Sequence, residues 1–123
     1  MHVKLELNNR EPIYMQVIMH FKQQMATGAL KAGEEVPSRR ELAVMLNINP
    51  NTVQKAYKEM EDLGLIKTER NFPSTITQDE QVLQSIRMQL INEATTAYIE
   101  TMKKINVPVE EVVRAVKESY AQG

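Results

Sequence analysis

V-P-S-R-R-E-L-A-V-M-L-N-I-N-P-N-T-V-Q-K-A-Y-K-E-M-E-D-L-G, residues 36–64, reads as two short helices joined by a tight turn. Ser38 and Glu41 have the S-x-x-E spacing of a capping box, in which the hydroxyl accepts a first-turn amide and the carboxylate reaches back. Leu42, Ala43 and Leu46 give the first helix a short apolar stripe. Asn47 stands where the chain must leave that helix, and Asn tolerates a left-handed conformation. Ile48 can plug the corner. Asn49-Pro50 reads as N-cap and first helical position, where the missing proline amide costs nothing. Val53, Ala56, Tyr57, Met60 and Leu63 share one face of the second helix, and Gly64 ends it. This is the pattern of a helix-turn-helix, whose second helix can lie in the DNA major groove.

The opposite face of that second helix carries Asn51, Gln54, Lys55 and Lys58 at helical spacing, with Thr52 beside them near the helix start. Asn and Gln can pair bidentately with adenine, and Lys can reach guanine or phosphate. Arg39 and Arg40 add cations near the same end. Free amides at both helix starts suit phosphate. Glu59, Glu61 and Asp62 come only at the far end. The competing reading is an ordinary helical hairpin with a solvated polar face.

The chain has 123 residues, 42% of them hydrophobic and 25% charged, which suits one globular domain with an appendage. With no cysteine, disulfides and thiolate metal sites are excluded, and two histidines, His2 and His20, do not make a metal site by themselves. No metal or cofactor is expected. No apolar run is long enough to span a bilayer and no secretory segment is visible, so the cytoplasm is the simplest location. The net charge is −1, and its distribution matters more than its total. Residues 1–77 hold a balance of +1 and residues 78–123 a balance of −2. Within 36–58 only Glu41 opposes Arg39, Arg40, Lys55 and Lys58.

Upstream, K-L-E-L within residues 1–9 is compatible with an edge strand or a loose arm. Pro12 opens a helix whose stripe is Ile13, Tyr14, Val17, Ile18, Phe21 and Met25, ending at Thr27-Gly28. His20 lies outside this stripe and reads as a surface residue. Residues 29–37 are a connector anchored by Leu30 and Val36. Downstream, L-I-K-T-E and T-I-T are candidate strands around the turn-like R-N-F-P-S, a wing following the helix-turn-helix. Arg70 in that tip can meet a phosphate or enter the minor groove, while closure of the small core explains the hairpin equally well.

From Asp79 the character changes. One long helix to Lys104 presents Val82, Leu83, Ile86, Leu90, Ile91, Ala94, Ala97, Tyr98, Met102 and Ile105. Asn106-Val107-Pro108 breaks it. A shorter helix follows, with Val109, Val112, Val113, Val116 and Tyr120. The two stripes exceed what a helical pair can bury against itself. The surplus goes to a second copy of the chain or folds back on the winged part. The expected dimerisation residues are Leu83, Ile86, Leu90, Ile91, Ala94, Tyr98, Met102, Val112, Val113 and Val116. The expected fold is mostly α with a small β wing: a winged helix-turn-helix over 1–77 and a two-helix dimerisation tail over 78–123.

E-P-I-Y-M-Q-V (11–17), V-P-S-R-R-E-L-A (36–43), N-P-N-T-V-Q-K-A-Y (49–57) and L-G-L-I (63–66) together resemble the GntR family of bacterial transcription regulators. The short helical tail is most similar to its YtrA-type subfamily. The resemblance implies a winged helix-turn-helix, a homodimer made through the tail, and a repressor of a palindromic double-stranded DNA operator. It also implies that Arg40, just before E-L-A, contacts DNA, as do Asn49, Asn51 and Thr52 with Gln54 and Lys55 following. Ser38, Arg39, Lys58 and Arg70 complete the candidate DNA-binding set. Two departures stand out. Pro50 and Gln54 occupy places where many members carry arginine, and N-F-P-S-T-I puts Asn71 and Pro73 where the family's wing has glycines.

An alternative class is a winged protein-interaction module that does not read DNA. An enzyme is disfavoured: there is no nucleophile constellation, Gly-rich phosphate loop or convergent carboxylate pair. The tail is too small for a usual sugar- or acid-binding domain, and no effector is marked.

Overall fold

The computed structural model describes residues 5–123. The elements are α1 (Ile13–Thr27), α2 (Arg39–Leu46), α3 (Pro50–Asp62), β1 (Ile66–Lys67), β2 (Thr75–Ile76), α4 (Glu80–Lys104) and α5 (Val109–Gln122). The architecture is mostly α with a small wing, as expected. The chain divides into two compact units, the first ending at Met88 and the second Gln89–Gly123. That division falls inside α4, whereas the change of character in the sequence falls at 77/78.

In the first unit, α1 and α2 both lie against α3. Val17 and Phe21 of α1, Leu42 of α2, and Val53, Ala56, Tyr57 and Met60 of α3 are at most 1% exposed. Each comes from a stripe read in the sequence, because helical spacing places those positions on one face. Leu63 departs from its stripe and is 53% exposed. It is the C-cap of α3, beyond the last turn that faces the core.

The helix ends follow local chemistry. Ser38 Oγ accepts the Glu41 amide and Glu41 Oε1 accepts the Ser38 amide, both at 3.1 Å, forming the capping box. These bonds hold the Glu41 carboxyl below the ordinary carboxylate range. Asn47 adopts φ 53° and lets the Ile48 amide reach the Ala43 carbonyl at 3.0 Å. Asn49 Oδ1 accepts the Asn51 amide at 2.8 Å, with Pro50 opening α3. Gly64, at φ 77°, brings the Leu65 amide onto the Met60 carbonyl at 2.9 Å. A side chain at that φ would be strained.

One expectation in this unit is corrected, and two readings are refined. His20 is buried, at 8% exposure, rather than on the surface. It stands edge-to-face with Phe21 at 6.2 Å, and its Nε2 has no hydrogen-bond partner among the described residues. Burial lowers its pKa. Residues 5–12 form no strand; the earlier part of the K-L-E-L stretch lies outside the described residues. The segment is instead tied by buried Gln16, which accepts from the Asn8 amide and donates to the Asn8 and Glu11 carbonyls at 2.8–3.0 Å. The connector before α2 also joins the sheet. Glu35 bridges Thr75, and the amides of Val36 and Ile76 bond to Ser74 and Glu34 at 2.9 and 2.8 Å.

The wing strands pair antiparallel, Ile66 with Ile76 and Lys67 with Thr75. In the second unit, α4 ends at Lys104, the chain turns at Asn106, φ 57°, and Val107-Pro108 leads into α5. Val112 is buried at 8% exposure.

Candidate nucleic-acid interface

One face of α3 presents the candidate base readers. Asn51, Gln54, Lys55 and Lys58 are exposed and Thr52 is half-buried. Helical spacing puts them on one side, away from buried Val53, Ala56 and Tyr57. Two of the cations already have company. Lys55 Nζ lies 4.0 Å from the centroid of the Tyr14 ring, within cation–π range. Lys58 faces Asp62 at 3.8 Å in an exposed pair that solvent screens. Tyr14, Asn51, Thr52 and Lys55 line one shallow cleft, so α1 supports the reading end of α3.

Arg39 and Arg40 behave differently. Arg40 is exposed and has no ion pair among the described residues. Arg39 pairs with Glu61 and lies 5.1 Å above the Tyr57 ring. The expectation that Glu61 sits away from the contact region is thereby corrected: it closes on the start of α2. Arg39 is committed within the chain. Tyr57, fully buried, donates its hydroxyl to the Pro37 carbonyl at 2.6 Å. Its pKa is raised, chiefly by burial, with Arg39 opposing. This hydrogen bond ties α3 to the residue before the Ser38 cap, fixing one helix of the motif against the other.

The wing is braced by Thr68 Oγ1 and Ser74 Oγ at 2.6 Å and closed by the Phe72 amide on the Glu69 carbonyl at 3.0 Å. Lys67 pairs with Glu69 at 3.0 Å, which leaves Arg70 as the tip's unopposed cation among the described residues. The structural roles of Tyr14 and Tyr57 were missed in the sequence. Tyr14 carried a signal, since it leads the α1 stripe yet offers a polar-tipped ring. Tyr57 carried none beyond its place in a stripe.

In the second unit, Ala94, Thr95, Tyr98 and Ile99 of α4 and Val112, Val113, Val116 and Lys117 of α5 line an apolar cleft of about 490 Å³. Of the expected dimerisation residues, Ile91, Tyr98, Val113 and Val116 are 36–46% exposed. Ala94 is exposed too, while Leu83, Leu90 and Met102 are half-buried. Ile86 and Val112 are already buried within the single chain, at 2% and 8%, and offer little to a partner. For Ile86 the reason is that the opening turns of α4 belong to the first unit.

Among the described residues no group of acidic or histidine side chains could hold a metal ion, and no helix is long and apolar enough to cross a membrane.

Comparison with known proteins agrees with this architecture. Residues 13–75 match the family described as bacterial regulatory proteins, gntR family. The HTH-type transcriptional repressor YtrA of Bacillus subtilis is 34% identical over 97% of this chain and 92% of its own. YhcF, an HTH-type transcriptional regulator of the same organism, is 29% identical over 96% of this chain and 97% of its own. A GntR family transcriptional regulator from Listeria monocytogenes superposes with a TM-score of 0.87 at 30% identity, covering 91% of this chain and 98% of that one. These relatives are regulators rather than enzymes. Its helix-turn-helix, its wing and its near full-length likeness to YtrA place the chain in the GntR family of bacterial transcriptional regulators.

Proposed function

We propose that the chain acts as a homodimeric repressor that binds a palindromic operator in the bacterial cytoplasm. The observation that carries this reading is the exposed face of α3, where Asn51, Gln54 and Lys55 stand together behind a proline-started, side-chain-capped helix. Asn51 and Gln54 have the amides that pair with adenine, and Lys55 reaches guanine or phosphate. Asn49 and Thr52 flank that face. Ser38 and Arg40, at the start of α2, suit phosphate, with Lys58 and Arg70 as outer contacts. Arg39 acts from within by holding the motif together.

Dimerisation follows from energetics. One module with so few free cations binds weakly, and linking two raises avidity. The exposed part of the tail's apolar face, Ile91, Tyr98, Val113 and Val116, supports a second copy as its cover. Half-sites should then lie roughly 34 Å apart, or a multiple of that. The printed role of YtrA supports repression as the sign of regulation.

The test is a mobility shift with the region upstream of the chain's own gene, at two salt concentrations, with excess competitor DNA. Specific, salt-weakened binding is expected. A folded protein that binds no duplex at low salt would refute the reading and favour a protein-interaction module.

A further inference from the structure

The wing tip carries a large apolar side chain that neither the fold nor the contacts above use. Phe72 is 67% exposed, on an exposed tip whose backbone is closed by the Phe72 amide on the Glu69 carbonyl. Asn71 takes the left-handed turn at φ 69° and Pro73 fixes the return. Thr68 and Ser74 clamp the base of the tip. A ring displayed on a rigid support loses little conformational entropy when it inserts into a partner.

What lies beside it identifies the partner. Phe72 shares a cleft of about 440 Å³ with Ser38 and Arg39 at the start of α2. That start is next to Arg40 and carries the amides that suit a phosphate. A phosphate held there would place its strand beside the cleft that Phe72 lines. On the tip, Arg70 precedes Asn71 and Phe72, and Lys67 offsets Glu69. A cation, an amide and an apolar ring in sequence is the side-chain set of minor-groove binders, which read A·T width with polar groups and wedge an apolar one between base steps.

We infer that Phe72 is a minor-groove wedge that partly unstacks a base step flanking the half-site read by α3, making that step a determinant of operator choice. Pyrimidine–purine steps such as TA unstack most readily, so they are the preferred flank. The inference rests on the DNA-binding reading above.

The probe is a duplex enriched from a random library by the purified full chain, carrying 2-aminopurine in turn at each flanking position. The wild type should raise fluorescence at one flanking step. Phe72→Ala should abolish that rise and weaken binding about five-fold or more, while Phe72→Leu retains both. Arg40→Ala should weaken binding yet keep the fluorescence rise in the bound complex. Wild-type binding with equal affinity and fluorescence for Phe72→Ala would overturn the wedge and leave the DNA reading standing. Failure to enrich any duplex would overturn both. Because the ring is largely exposed, circular dichroism of Phe72→Ala should match the wild type.

Discussion

Arg39 and Arg40 are adjacent in sequence and opposite in fate, and replacing each by alanine separates two roles. The Arg39 and Glu61 side chains are 31% and 33% exposed, so solvent screens part of their attraction. An ion pair of this kind contributes roughly 0.2–1 kcal/mol. The guanidinium over Tyr57 adds about 0.5–1 kcal/mol. Arg39→Ala should therefore cost about 1–2 kcal/mol, lowering Tm by on the order of 5–10 °C for a unit of this size. Arg40→Ala should leave stability within about 0.5 kcal/mol, because the side chain is exposed and makes no ion pair among the described residues. Its effect belongs to binding. Losing one phosphate contact per protomer flattens the plot of log K against log salt by about 0.9, or about 1.8 for a dimer. Thermal denaturation at fixed protein concentration and anisotropy titrations across a salt series read the two effects separately. An Arg39→Ala protein with unchanged Tm and a flattened salt slope would refute this division, as would an Arg40→Ala protein with an unaltered slope.

Tyr57→Phe removes the donor to the Pro37 carbonyl. Since Pro37 is half-buried and water can partly replace the bond, urea denaturation should show a loss of about 1 kcal/mol. His20 has a lowered pKa, so the folded state resists its protonation. Its neutral form is fully compatible with the fold above the unfolded-chain value of 6.5, and stability falls as pH drops below it. His20→Phe should flatten that acid limb in urea midpoints measured from pH 7 down to 5; an identical limb would rule the histidine out. Tyr98→Lys puts a charge on the exposed face of α4 and should shift the protein toward monomer in light scattering, with an unaltered dimer counting against that face.

The helix caps were legible because their chemistry is local. Ser38 with Glu41, Asn49 with Pro50, and the left-handed exits at Asn47 and Gly64 each need only a few consecutive residues. The stripes of α1 and α3 were legible for the same reason. His20 was misread because α1 buries a wider arc than one stripe, extending to the ring neighbour of Phe21. The Arg39–Glu61 pair spans 22 positions, and no local pattern announces which acid an arginine will find. The candidate readers on α3 could be named from spacing alone, whereas the support of Lys55 by Tyr14 depends on how α1 is laid across α3.

The bridge between Glu35 and Thr75 bears on any attempt to exchange parts among relatives. Two strands of two residues each do not persist alone in water. This hairpin is sewn instead to the connector that follows α1, through the Gly33, Val36 and Ile76 amides at 2.8–2.9 Å. The aim of the tip is thus set by residues far upstream of it. A transplanted wing would carry its tip residues but lose its bearing unless residues 33–36 travelled with it.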